Sequence, residues 1–429
     1  MRTRVLISAV GSRGDVQPLL RVGEGLRGGG HEVHVFANPA FGGAVATAGL
    51  VFRAVGDEEE HRRGLDDERI TKSRSGLAMV ADAVVRLARP TLEAMRADVL
   101  PGRTLAVGST FAFGARLLCE QDGLPFAAVH LAPSMFRSEH EAPRFSPLGH
   151  FRHWPRRFKR GMWNLMDRRF LDPVFAAPLN AIRADLGLPP VARLMHGWIH
   201  EGDVLLGLFP AWFAERQPDW PAALVTTGFP LAFTKEPLSP AVEHFLDEGS
   251  APIVFTAGTA NTASWEFFDA SAAACARLDC RGIFVATTRD QMPERLPDNV
   301  LHVTRAPFDR LFPRAAAVVH HGGIGTTAQA MASGTPQLIR PMAYDQFDNA
   351  SRAQRLGVAI ELLPRAYRGR RLDRTLHALL SDASRRLRCR ELAQRLAAEE
   401  GVEVACNALD RALAHVESSS HNARIRSLA

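Results

Sequence analysis

The sequence predicts an α/β protein of two Rossmann-like domains, with parallel sheets facing a central cleft. Three observations carry that expectation. Apolar, β-branched runs alternate with helix-patterned stretches; the alternation occurs twice; and a proline-rich stretch of poor periodicity, "PDWPAALVTTGFPLAFTKEPLSP", separates the two occurrences. Strand alternating with helix is the pattern of a parallel sheet covered on both faces. A chain of 429 residues also exceeds one ordinary core.

In the first half, strands are expected over 4–10, 32–36, 105–108, 126–130 and 204–208, and helices over 18–25, 76–96 and 112–121. In the second half, strands are expected over 253–257, 282–287, 300–303, 317–320 and 337–340, and helices over 265–278, 326–333, 348–357 and 372–380. The resulting division is a first domain over 1–220, a linker over 221–240, and a second domain over 241–415 closed by a long alanine-rich helical stretch. Residues 416–429 are expected to be disordered. One block, 135–200, breaks the rhythm: it carries "RFSPLGHFRHWPRRFKRGMWNLMDRRFLDP", in which Arg, Phe and Trp are interleaved and acids are nearly absent.

Composition excludes several classes. The net charge is +6, but lysine occurs only at 72, 159 and 235 and no nucleic-acid module is present, so nucleic-acid binding is not expected. No run reaches the roughly 18 apolar residues of a membrane span. The N-terminal "MRTRVLISAVGSRGD" reads as a first strand rather than a signal peptide. Five scattered cysteines suit a reducing compartment better than a disulfide frame or a zinc site, so a cytoplasmic protein is expected.

Two glycine-bearing turns follow strands and open helices: "GSRGDVQP", 11–18, and "HHGGIGTT", 320–327. The first is not a Gly-x-Gly-x-x-Gly fingerprint and no Walker lysine follows either turn, which disfavours nicotinamide and ATP. In the second turn, His321, Gly323, Gly325 and Thr326 would set donors at a helix N-terminus, a place suited to a diphosphate. The same residues would also serve a tight turn around a buried histidine.

The stretch 312–359, "FPRAAAVVHHGGIGTTAQAMASGTPQLIRPMAYDQFDNASRAQRLGVA", resembles the donor-binding signature of inverting GT-B nucleotide-sugar glycosyltransferases, the plant, sterol and antibiotic enzymes. "GSRGDVQPLL" is similar to the start of the bacterial and sterol branch. "LFPAWFAERQPDW", "TGFPL" and "DQFDNA" resemble the rhamnosyltransferases of rhamnolipid biosynthesis.

The resemblance implies an acceptor-binding first domain and a nucleotide-sugar-binding second domain. It places the donor pyrophosphate on His321 or its neighbour His320, with Gly323, Gly325 and Thr326. Ser12 and Thr259 fall where further phosphate contacts lie, Ala306 and Phe308 where the nucleobase sits, and Asp345 with Gln346 where sugar hydroxyls are held. Gln329 stands where many relatives carry the acid that binds the ribose, which leaves that contact in doubt. No Asp-x-Asp pair occurs in the donor segment, so neither metal nor cofactor is expected.

Many relatives have Gly-His-x-x-Pro after the first strand, the histidine removing the acceptor proton. This chain has Gly14-Asp15-Val16-Gln17-Pro18, a carboxylate at the same spacing. Asp15 is therefore the expected catalytic base. An aspartate before a helix is also an ordinary N-terminal cap, and the two roles are compatible.

For the acceptor, Phe151, Trp154, Phe158 and Trp163 are expected to form an apolar slot, with Arg156, Arg157, Lys159 and Arg160 as a cationic rim that could also touch anionic membrane. If that block is only structural, the loops after 105–108 and 126–130 are the places left. The resemblance implies transfer of L-rhamnose from dTDP-L-rhamnose to the hydroxyl of a 3-(3-hydroxyalkanoyloxy)alkanoic acid, with an acyltransferase subunit of the same pathway and the inner membrane as partners. The alternatives are a sterol, polyketide or macrolide acceptor, or an inactive relative that only binds sugar nucleotide or lipid.

Overall fold

The computed structural model describes residues 3–428 apart from 72, 148–150, 232, 235 and 259–263. The chain divides into two compact units. The first comprises Met1–Pro143, His150–Pro230 and Glu400–Ala429, and the second Arg144–Gly149 and Leu231–Glu399.

The first unit is built on seven parallel strands, β1 (Arg4–Ser8), β2 (Glu32–Ala37), β3 (Val51–Ala54), β4 (Thr104–Ser109), β5 (Phe126–His130), β6 (Val204–Gly207) and β7 (Leu224–Thr226), in the order 3-2-1-4-5-6-7. The second has six, β8 (Ile253–Thr256), β9 (Gly282–Val285), β10 (Val300–Val303), β11 (Ala317–His320), β12 (Gln337–Ile339) and β13 (Ala359–Glu361), in the order 10-9-8-11-12-13. The near-continuous apolar runs of the central strands follow from burial on both faces. In β8, Ile253 and Phe255 enter one core while Val254 enters the other, as the two-residue period of a strand requires.

Three strands and the last helix differ from the expectation. Strands β3, β7 and β13 were not expected; each is a short edge strand with one neighbour, so its residues are not buried on both sides and leave no long apolar run. β7 falls inside the stretch read as linker, and the first unit continues to Pro230. The last helix, Gly401–Leu428, does not close the second unit: Ala405, Leu409 and Leu413 pack into the first unit's core. It also runs on through 416–428, where no order was expected.

The basic block is helical. The Arg156–Met166 helix passes through a π-helical segment, Asp167–Ala176, into the Ala177–Asp185 helix. Pro173 lies in the widened segment, where its missing N–H and its ring disrupt regular helix bonding. Among the described residues no helix is long and apolar enough to cross a membrane.

Candidate active site

Each sheet reverses its strand order once, between β1 and β4 in the first unit and between β8 and β11 in the second. In open parallel sheets, ligands lie beyond the carboxyl ends of the strands at such a reversal. The two glycine turns stand at these two places.

In the first unit the turn after β1 leads into the Arg13–Gly28 helix, capped by Ser12. Asp15 is in the first turn. Its Oδ2 accepts the Ser12 N–H at 2.7 Å and the Ser12 hydroxyl at 2.9 Å. Ser12 and Asp15, both expected site residues, are thus bonded to each other, and the capping geometry is real. Gly11 makes it possible: its φ is +131° and a Cβ there would lie 2.4 Å from Asp15 Oδ2. Asp15 keeps part of its surface as a residue, yet its carboxyl group is desolvated. That desolvation raises its pKa above the usual aspartate value, outweighing the lowering by the two Ser12 bonds. The β1 and β4 loops are joined where Val10 N–H donates to Ser109 Oγ at 3.3 Å.

In the second unit the doubled histidine divides its labour. His320 ends β11 and is fully buried. Its Nδ1 accepts the Gly322 N–H at 3.1 Å, so its proton sits on Nε2, which donates to Gln337 Oε1 at 2.9 Å. Both ring nitrogens are spent on the fold. His321 has a different setting. Its Nδ1 is buried without a hydrogen-bond partner among the described residues. Its ring lies against Gly258, where φ is +83° and a Cβ would come within 2.4 Å of Cε1. Burial lowers the pKa of His321 to about 4, so the imidazole is neutral at neutral pH and supplies a hydrogen bond rather than a charge.

The Ile324–Ala332 helix starts at Gly323 with no side-chain cap, which leaves its first amides for an anion. Gly325 is exposed and Thr326 half-buried in that first turn. Asn349 ties this turn to the next loop: its Nδ2 donates to Gly322 O at 3.0 Å and to Asp345 Oδ2 at 2.7 Å. Gln346 Oε1 accepts the N–H groups of Met342 and Ala343 at 2.8 and 3.2 Å. Behind this loop, Asp348 takes the Arg144 N–H at 3.1 Å and Arg352 Nε at 2.6 Å, all three residues being buried. Ala306 and Phe308 follow β10 at the same sheet edge, with the Phe308 ring stacked on Phe312 at 4.4 Å. Thr259 lies outside the described residues.

The expected acceptor slot does not form. Phe151 and Trp154 touch edge to face at 4.8 Å, but Trp154 and Phe158 are exposed. Trp163 is buried under the Arg137 guanidinium, which pairs with buried Asp167. Lys159 is not part of a rim: it is 2% exposed and donates to His140 O at 2.9 Å. Arg160 and Arg156 face Glu139 at 2.6 and 3.9 Å, which offsets their charge. The block is a local core with a basic outer face. Aromatic residues gather instead beside β4 and β5. Phe111 stacks on Phe175 at 6.0 Å, and Phe113 meets Phe175 and Trp198 edge to face.

Two doubly wound parallel sheets, each with polar groups at its reversal point, match the architecture of GT-B proteins. Residues 5–140 match the glycosyltransferase family 28 N-terminal domain, and residues 272–409 match the C-terminal domain of erythromycin biosynthesis protein CIII-like proteins. The chain is 31% identical to the O-mycaminosyltylonolide 6-deoxyallosyltransferase of Streptomyces fradiae, covering 94% of this chain and 96% of that one. It is 30% identical to the glycosyltransferase GtfE of Amycolatopsis orientalis, covering 83% and 85%. Among solved structures it is similar to the glycotransferase of kitacinnamycin, with a TM-score of 0.74, 20% identity and coverage of 96% and 100%. The chain belongs to the family 28, erythromycin-CIII-like GT-B glycosyltransferases, enzymes that use a nucleotide-sugar donor.

Proposed function

We propose that this enzyme transfers a sugar, with inversion, from a nucleoside-diphosphate donor held by the second unit to a hydroxyl of an apolar acceptor held by the first. The observation that carries the reading is Asp15: a desolvated carboxylate at the β1–β4 reversal, with a pKa raised above the ordinary aspartate value. An alcohol is too weak an acid to ionise first, so its proton passes to Asp15 as the oxygen bonds to the anomeric carbon. The bond from that carbon to the diphosphate breaks in the same step, and negative charge grows on the diphosphate. The His321 imidazole and the free amides at the start of the Ile324–Ala332 helix are suited to stabilise it. Gln346, with its oxygen engaged by backbone, offers its NH₂ to a sugar hydroxyl beside Asp345.

For the substrates, we propose dTDP-L-rhamnose and a 3-(3-hydroxyalkanoyloxy)alkanoic acid. The support is the similarity of 208–220 and 227–231 to rhamnolipid rhamnosyltransferases. A macrolide acceptor is the second reading. It is favoured by similarity over 94% of the chain to an enzyme named for a tylonolide acceptor. Five cysteines that are all free support a reducing, cytoplasmic setting. The exposed Trp154, Phe158 and Leu165, with Arg157 over the Phe158 ring, support loose contact with anionic lipid. Mass spectrometry of products decides the substrates. Purified enzyme is given dTDP-rhamnose or UDP-glucose with the lipid acid or O-mycaminosyltylonolide. Rhamnosylated lipid is expected, and product from the macrolide alone overturns the lipid assignment.

A further inference from the structure

The first unit holds a buried polar chain that the mechanism above does not use. Thr110 is the first residue beyond β4 and is half-buried at the sheet's carboxyl edge. Its Oγ1 lies 2.8 Å from Nδ1 of His130, the last residue of β5. His130 is 0% exposed, and its Nε2 lies 3.0 Å from His200 Nδ1. Phe136 stacks on His200 at 5.1 Å and meets His130 edge-on at 5.1 Å, which fixes both rings. Burial lowers the pKa of His200 to about 3 and that of His130 far below the usual histidine value; Arg116 adds to both shifts and Arg137 to that of His200. Both imidazoles are therefore neutral.

A strand end among aromatic rings has no need of two imidazoles. Burying polar rings costs free energy unless they are bonded, and an apolar side chain would fill the same space without that demand. Here the bonded chain runs outward and ends at a hydroxyl. That hydroxyl stands on the β4 side of the β1–β4 reversal, and Asp15 stands on the β1 side. The Val10–Ser109 bond holds the two loops together. Phe111, the next residue, opens the aromatic cluster with Phe113, Phe175 and Trp198.

We propose that Thr110 is an acceptor-binding residue, whose hydroxyl, oriented by His130 and His200 as positioning residues, hydrogen-bonds an uncharged oxygen of the acceptor beside the hydroxyl that reacts. The inference rests on the glycosyltransferase reading of Asp15 above and adds the acceptor contact. Neutral His130 carries one ring proton, so the chain has two states. With the proton on Nε2, His130 donates to His200 and accepts the Thr110 O–H, and the Thr110 oxygen is left to accept from a ligand hydroxyl. With the proton on Nδ1, His130 donates to Thr110, whose own O–H then points to a ligand carbonyl or hydroxyl oxygen. Either state reads a neutral oxygen, and neither supplies charge for a carboxylate. The ligand class is an apolar molecule bearing neutral oxygen groups next to the attacked hydroxyl.

The test is steady-state kinetics on the whole enzyme with dTDP-rhamnose and two acceptor probes, the medium-chain lipid acid and O-mycaminosyltylonolide. It is paired with calorimetric TDP binding and with donor hydrolysis in the absence of acceptor. Thr110→Val keeps the shape and removes the hydroxyl. It is expected to lower kcat/KM for the acceptor about tenfold, the size of one hydrogen bond, with TDP affinity and donor hydrolysis unchanged. Thr110→Ser should restore the parent value to within about threefold, and His200→Phe, which retains a stacking ring, should fall between. A Thr110→Val enzyme with parental acceptor kinetics overturns the proposal. So does a parallel loss of TDP affinity, which would mark a structural defect. A parent enzyme that hydrolyses donor yet glycosylates neither probe counts against the ligand class. A parent that neither binds TDP nor hydrolyses donor overturns the glycosyltransferase reading, and this inference with it.

Discussion

The two reversal points occupy the same topological place and have opposite chemistry. In the first unit the crevice carries a carboxylate with heightened proton affinity, Asp15, and a neutral hydroxyl–imidazole chain. In the second, the turn after β11 has no carboxylate. It presents a neutral imidazole and uncapped helix amides, all potential hydrogen-bond donors. One edge is suited to receive a proton, the other to receive a diphosphate. A Rossmann-like sheet supplies only the location; the residues of the turn decide which charge it tolerates.

The largest effect that separates the two crevices is expected at Asp15. Asp15→Asn keeps an oxygen for the Ser12 bonds and nearly the same shape, and removes the base. Turnover is expected to fall on the order of 10²-fold or more, with TDP affinity unchanged by calorimetry. A near-parental rate would leave Asp15 as a cap only. The same carboxylate sets a pH limb. Its pKa is raised in the folded enzyme, and only the ionised form accepts a proton. Activity should therefore fall on acidification at a pH above the ordinary aspartate range, and the Asn variant should lose that limb. The sign for stability is opposite: a raised carboxyl pKa favours the fold at low pH, and that contribution is lost as pH rises through the folded value.

The histidines separate fold from ligand within one turn. His321→Ala is expected to weaken TDP binding about tenfold, the loss of one hydrogen bond to an anion, with little change in melting temperature. His320→Ala should do the reverse. It leaves the Gly322 N–H and Gln337 Oε1 without partners inside the protein, at a cost of about 1–3 kcal/mol, while TDP affinity per folded molecule persists. Exchange of these outcomes would shift the diphosphate contact to His320.

Legibility in the sequence followed locality. The donor turn and the Asp345–Gln346 loop each lie within eight consecutive residues, so their order in the chain is nearly their order in space. The polar chain behind Thr110 joins residues 110, 130 and 200, which share no spacing: the pairing of β4 with β5 brings 110 to 130, and the Trp198–His200 turn ahead of β6 brings 200 to 130. Nothing short of the strand order could have assembled it. The basic block misled for a different reason. Phe158 and Trp163 are five residues apart, roughly 140° around an α-helix, so one is exposed and the other buried. Beyond Met166 the π-helical segment changes the period and carries Phe175 to the β4 loop. A helical period projected through 167–176 assigns the wrong face from there on.

The smallest expected effect compares the two regions offered for the acceptor. Charge reversal of Arg156, Arg157 and Arg160 together changes a surface that is exposed and, at Arg156 and Arg160, already offset by Glu139. Exposed pairs of this kind contribute at most about 1 kcal/mol, so stability should hardly move. If the acceptor lies beside Thr110 and the aromatic cluster, its KM and the TDP affinity should stay within about twofold of the parent, a change of under 0.5 kcal/mol. Lipid contact is the property that should respond. Sedimentation with vesicles containing phosphatidylglycerol should weaken in the triple variant, and in the parent as salt rises, because the attraction is screened over about a Debye length. A rise in acceptor KM for the triple variant with unchanged vesicle binding would return the acceptor to the basic block. It would also leave the hydroxyl–imidazole chain as packing alone.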